Sequence, residues 1–348
     1  MTRIGTYGSH LSLIARMLNT QRSVHDSQAQ VATEKKSQDY AGLATSSFRL
    51  VSLENERALS ERFVETNQTA ITKLNVMETS LKAVDKVIRT FRSELQAFQA
   101  VGPSDPQNLQ QMQARAWDAL QQLQSYLDVK VEGDYVFGGG KTDTMPVQIP
   151  WGSLAEFQAD YAIDSSGTAG AAFPTTRSGH LSATYNGGAA GTGYYYEGDT
   201  LQLEHRLDDI RSITLGINAA DPAIEKAMRA MLMMAQGAMS QQETLAPNLV
   251  SQSITLLNDS IMHDAANTAE KTSDLTGMLY NVGANKSSIS RAISEHKEFV
   301  DTTEMRLSEL ENVNMLEAVT RLNDNVRALE TSYTSFGRIR QLSLAQFL

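Results

Sequence analysis

From Leu307 onward the apolar positions fall at Leu307, Leu310, Val313, Leu316, Val319, Leu322, Val326, Leu329, Tyr333, Phe336, Ile339 and Leu342. Every step is three or four residues, the spacing of one helix face. The first residues repeat the pattern more weakly through Tyr7, Leu11, Ile14, Leu18 and Val31, with polar Gln21, His25 and Gln28 on the same expected seam. Polar residues in a helical seam lower stability and can fix register. A first helix is expected over Ser9–Thr33, then a turn near Ser37–Ala44 broken at Gly42. The most regular stripe follows: Leu50, Leu53, Val64, Ile71, Leu74, Met77, Leu81, Val84, Ile88, Phe91, Leu95 and Phe98. As one helix, residues 46–100 would span about 80 Å at 1.5 Å per residue.

Gly102-Pro103 ends that helix, and Asp105-Pro106 reads as the N-cap and first position of the next. The third stripe is Leu109, Met112, Ala116, Leu120, Leu123 and Leu127, which returns antiparallel as a helical hairpin. At Gly133 the character changes. More than half of the 22 glycines lie between Gly133 and Gly198, and helical periodicity disappears. Tyr194–Tyr196 and Leu201–Leu203 around Glu197-Gly198-Asp199 suggest two strands, and Ile213–Ile217 a third. Helix resumes at Asp221-Pro222 with Ile224, Met228, Met231 and Met234, and Pro247 breaks it. A further helix is expected over Leu249–Val282, and the terminal stripe then predicts one helix over 282–344, about 95 Å long.

The resulting expectation is a mainly α fold with a β-rich insertion. A long antiparallel helical rod comes from the N- and C-terminal segments, and a small β outer domain sits in the middle. The expected domains are 1–42 with 307–348, 43–132 with 218–306, and the insertion 133–217. Two long narrow stripes far apart in sequence need a partner surface, which points to an assembling structural protein.

Composition narrows the function classes. With 41% hydrophobic but only 7% aromatic residues, the chain supports helical seams better than one thick core. A net charge of −10 without a basic stripe argues against nucleic acid or an anionic membrane as partner. No cysteine is present, so disulfides, thiolate metal sites and cysteine nucleophiles are excluded. Met1–His10 lacks the apolar core of a cleaved signal peptide, and no stretch approaches a membrane span. By these signals alone the chain is expected to be cytosolic, or exported by a route that needs no cleaved signal.

No catalytic, cofactor-binding or metal set is legible. Gly138-Gly139-Gly140-Lys141-Thr142 resembles the end of a phosphate loop, but Tyr135 stands where the pattern needs glycine. It reads as a glycine turn at a domain boundary. Among the six histidines, His205 beside Asp208 and Asp209 is the best metal candidate, and a solvated surface cluster is the plainer reading. Asp208-Asp209 and Glu309/Glu311 lack the shared pocket that acid–base carboxylates need. Met228, Met231, Met233 and Met234 read as core packing before partner binding.

Three segments carry a family resemblance. Leu307–Leu322, reading LSELENVNMLEAVTRL, and the ending Phe336–Leu348, reading FGRIRQLSLAQFL, resemble the C-terminal region of the flagellin superfamily. Within it they look most like the hook–filament junction proteins. Tyr135–Pro146 resembles the segment that leads those proteins into their outer domain, and Tyr196–Asp199 with Ile213–Ala219 is a third match. Asp39-Tyr-Ala-Gly-Leu-Ala44 is closer to the filament flagellin version, so a filament subunit stays open, as does a flagellin-like mount for a surface-binding β domain.

The resemblance implies a junction layer between hook and filament, assembled through paired terminal helices after unfolded export. It also implies the partners: copies of the chain, hook-associated protein 1 on the hook side, flagellin on the filament side, and an export chaperone on the C-terminal helix. The expected assembly seam is Leu307, Leu310, Leu316, Leu322, Leu329, Phe336 and Leu342, with Leu11, Ile14 and Leu18 opposite. No cofactor, nucleic acid or membrane partner is implied.

Overall fold

The computed structural model describes residues 3–43, 46–101, 105–162, 172–182, 195–239 and 245–345. The Gly102-Pro103 break, Tyr194 and the Gln346–Leu348 ending lie outside them. Nine α-helices are seen among the described residues: α1 Arg3–Thr33, α2 Ser47–Val101, α3 Pro106–Leu127, α4 Leu154–Asp160, α5 Arg177–Ser182, α6 Pro222–Ala235, α7 Leu245–Ile261, α8 Leu275–Glu311 and α9 Met315–Ala345. Two small antiparallel sheets accompany them: β1 Lys130–Val131 with β2 Asp134–Tyr135, and β3 Glu204–Arg206 with β4 Ser212–Thr214. The mainly α fold with a small β insertion is thus the one observed. The chain divides into two compact units, residues 1–62 with 296–348, and residues 63–295.

The core of the second unit follows the stripes. On α2, Leu74, Met77, Leu81, Val84, Ile88, Phe91, Leu95 and Phe98 are all buried. On α3 the matching row is Leu109, Met112, Ala116, Leu120, Leu123 and Leu127. Asp105 caps α3 by accepting the Gln107 amide at 2.9 Å, and Asp221 caps α6 by accepting that of Ala223 at 2.9 Å, each with proline at the first helical position. That geometry satisfies amides with no partner inside the helix.

Helix α6 packs between α3 and α7 and is buried on every side. The four methionines fill core, as does a set of charges that the sequence pattern placed at the edge. Glu225 takes His180 Nδ1 at 2.6 Å and Arg229 Nε at 3.0 Å, and Arg229 also reaches Glu270 at 2.7 Å. Lys226 pairs with Asp259 at 2.6 Å and donates to the carbonyls of Lys271 and Ser273. Burial pushes the Glu225 carboxyl up, but the His180 hydrogen bond and the charges around it win and hold it below the usual range. Burial likewise dominates at His180 and lowers it, so the neutral imidazole donates from Nδ1 to an ionised Glu225.

Four expectations are corrected. The helix expected over 249–282 is split, because Lys226 and Asp259 tie down residues 262–274 as a loop. Pro247 lies in the first turn of α7, where a proline is tolerated. The insertion contains α4 and α5 as well as β2, β3 and β4; β4 overlaps the expected Ile213–Ile217, Leu201–Leu203 is not a strand, and Tyr196 makes only an isolated bridge to Val147. The helix expected over 282–344 is interrupted at Asn312–Asn314.

The glycine turn has a structural account. The Asp199 carboxylate accepts the Gly140 amide at 2.6 Å, and Gly138 O accepts the Asp199 amide at 3.1 Å. Gly139 has φ +68°, and a Cβ there would lie 2.3 Å from Asp199 O. One amide of the turn, that of Gly140, is held by Asp199, so two of the resemblance segments, Tyr135–Pro146 and Tyr196–Asp199, meet here. His205 hydrogen-bonds Asn67 at 2.7 Å, whereas Asp208 caps the β3–β4 turn and pairs with Arg211. Among the described residues no group of three metal-ligating side chains converges.

Candidate assembly surface

In the first unit α1 and α9 pack along one another. The pair is antiparallel: Val313 donates its amide to Glu34 O at 2.9 Å at one end, and Asn325 Nδ2 reaches Ser27 Oγ at 3.0 Å further along. The covered row of α1 is Leu13, Met17, Thr20, Val24, Ser27 and Val31, and that of α9 is Ala318, Leu322, Asn325, Leu329, Ser332 and Phe336. Both run in alternating steps of four and three, the repeat of a two-helix seam. The Ser27–Asn325 pair sets the register.

This row is displaced from the one that hydrophobicity alone selects. Gln21, His25 and Gln28 are exposed, and Ser27 is buried in their place. The reason is the hydrogen bond from Asn325, which satisfies polar side chains inside the seam. Three expected seam residues, Leu322, Leu329 and Phe336, lie in the covered row, with Ile14 partly buried beside it. Leu11 and Leu18 remain 51% and 48% exposed, and Leu316 79% exposed. Val319 and Tyr333 are exposed likewise. Leu307 and Leu310 pack elsewhere, against Leu50 and Leu53 at the start of α2 and Leu43 before it. Leu342 lies in α9, and its side chain is outside the described residues.

The two connections out of the pair are fastened to one another. Lys35 and Asn312 form an antiparallel bridge, and Lys36 donates its amide to Glu311 O at 2.7 Å. Lys36 Nζ reaches the carbonyls of Glu309 and Leu310 at 2.8 and 2.9 Å, covering the end of α8. Lys35 pairs with Glu311 at 2.8 Å, and that hydrogen bond raises the lysine above its ordinary value. Asn314 accepts the Leu316 amide at 3.1 Å and caps α9. Sequence reasoning missed Ser27, Asn325, Lys35 and Lys36. Only Asn325 had a signal, as a lone amide inside a heptad row.

The arrangement can do one thing chemically: present a long helical pair whose seam is filled and along which further apolar positions stay exposed. No family model and no curated protein matches the chain. Solved structures do. One is a Vibrio parahaemolyticus protein described as a flagellar hook-associated protein, with a TM-score of 0.53 at 14% identity, covering 79% of this chain and 99% of that one. Another is FlgL from Bacillus cereus, with a TM-score of 0.45 at 12% identity, covering 76% and 99%. The chain shares its fold with the Vibrio protein.

Proposed function

We propose that this chain is a structural component of the bacterial flagellum and forms the junction layer between hook and filament. The observation that carries the reading is the set of exposed apolar positions Leu11, Leu18, Leu316, Val319 and Tyr333 along a helical pair whose own seam is covered within the chain. Such positions on a paired helix are covered by another helix of the same kind. The shared fold with a protein described as hook-associated supports the flagellar setting. Copies add head-to-tail through heterologous contacts, and a different neighbour must end the layer. On this reading hook-associated protein 1 lies on one side and flagellin on the other, and an export chaperone shields α9 before assembly. Residues 1–42 with 307–348 form the inner assembly domain, 43–132 with 218–306 the wall, and 133–217 the outward insertion. The role is mechanical, not enzymatic.

The test is deletion of the gene, with electron microscopy of the cells and an assay of flagellin in the medium. Bare hooks with flagellin lost to the medium are expected. Intact hooks with no other flagellin in either place would instead make this chain the filament subunit.

A further inference from the structure

The break between α8 and α9 carries one local signal, the Asn314 cap, and no glycine or proline. From residue 284 to residue 336 the chain contains neither glycine nor proline. The apolar spacing Leu307, Leu310, Val313, Leu316, Val319 runs straight through it. A helix ends where its last carbonyls find other partners. Here the acceptors at Glu309, Leu310 and Glu311 are all served by one residue, Lys36, two by its ammonium and one by its amide. In an uninterrupted helix those same three carbonyls would take the amides of Val313, Asn314 and Met315. The exchange therefore leaves none of the three unsatisfied.

Each arrangement has its own support. The broken one gains the Glu34–Val313 hydrogen bond, the Lys35–Glu311 ion pair and the Asn314 cap. It also holds Glu34 at φ +60°, a left-handed conformation that a non-glycine residue adopts at a cost. The continuous one would release that strain and return the three carbonyls to intrahelical hydrogen bonds.

We infer that residues 311–315 form a two-state joint. The two helices are separate while Lys36 clamps the end of α8, and fuse into one helix over 275–345 when the clamp is withdrawn. Competition for residues 34–36 by any neighbouring chain moves the joint, because it removes the donors on which the break depends.

The chain has no cysteine, so a label pair at Asp301→Cys and Arg327→Cys, both exposed, reports on the full-length protein without background. In a continuous helix these positions lie about 39 Å apart, from 26 residues at 1.5 Å each. Two variants bracket the states. Lys36→Met removes two of the three donors and keeps the side-chain length. Met315→Pro sits at the first position of α9, where proline suits a broken helix and forbids a continuous one.

Pulsed electron spin resonance is expected to show the 39 Å population at least threefold larger in Lys36→Met than in the parent, and absent in Met315→Pro. Hydrogen exchange over residues 312–316 is expected to slow in Lys36→Met, a readout that does not depend on the proline variant folding. Identical distance distributions in the two variants would overturn the joint. So would a broad distribution with faster exchange in Lys36→Met, because the released segment would then be coil.

Discussion

At the scale of single residues, the side chains that matter most are polar ones set inside apolar surroundings. Asp128 is the clearest. It ends α3 and accepts the Val147 amide at 2.9 Å, while Gln124 donates to Val147 O at 3.0 Å. Together they fasten the start of the insertion to α3. Burial is the largest influence on its carboxyl and pushes it up to about 6, against hydrogen bonds that pull the other way. A carboxyl whose folded value lies above its unfolded value adds stability below the unfolded value and loses it as pH rises through the folded one. The charged form is therefore a burden at pH 7.5. Asp128→Asn keeps an acceptor for Val147 and removes that burden. We expect it to stabilise residues 63–295 by about 1–2 kcal/mol at pH 7.5, with the gain gone by pH 4. Thermal melts of both chains across that range check it. Glu78 behaves in the opposite sense. The Lys286 hydrogen bond, helped by Lys82, holds it at about 2, so the tie between α2 and α8 weakens only as pH falls from its ordinary 4.5 toward that value.

At the scale of elements, α6 shows how far a hydrophobic pattern can be read. Its start, its cap and its methionine row were legible, because each rests on a local rule. That Glu225, Lys226 and Arg229 would be buried was not, because their partners His180, Asp259 and Glu270 lie far along the chain. Arg229→Met leaves Glu225 and Glu270 without their main cation. It should destabilise the second unit by about 3–5 kcal/mol, the cost of a buried charge left unpaired, measured by denaturant unfolding. The long stripes of α2 and α3 were legible to within a few residues for the same local reason. Of the strand positions only Ile213–Ile217 was legible in part, overlapping β4, since pairs two or three residues long are fixed by distant contacts. The break at Asn312–Asn314 was missed because Lys36, which takes the last carbonyls of α8, sits at the other end of the sequence, and the Asn314 cap was not read as a stop. The covered row of α1 was misplaced by about one position because a Ser–Asn hydrogen bond outranked a simple count of apolar residues.

At the scale of the whole molecule, the seam residues divide by role. Leu322 faces α1 within the chain, whereas Leu11, Leu18 and Leu316 face outward. On the proposed function, Leu322→Asp should abolish incorporation into the flagellum while leaving residues 63–295 folded, since the two units have separate hydrophobic clusters. Circular dichroism of the purified chain and microscopy of the cells would show both halves of that outcome, and normal attachment by the mutant would contradict the role given to this row. No helix among the described residues is long and apolar enough to cross a membrane.

The exposed positions Leu11, Leu18, Leu316 and Tyr333 also set how assembly should respond to temperature. Covering apolar surface is driven near room temperature by the release of ordered water, and it carries a negative heat-capacity change. Self-association through these positions should therefore weaken on cooling and grow more exothermic on warming. Titration calorimetry of dilution between 10 and 35 °C would give that slope, and replacing Leu316 with Ser should flatten it.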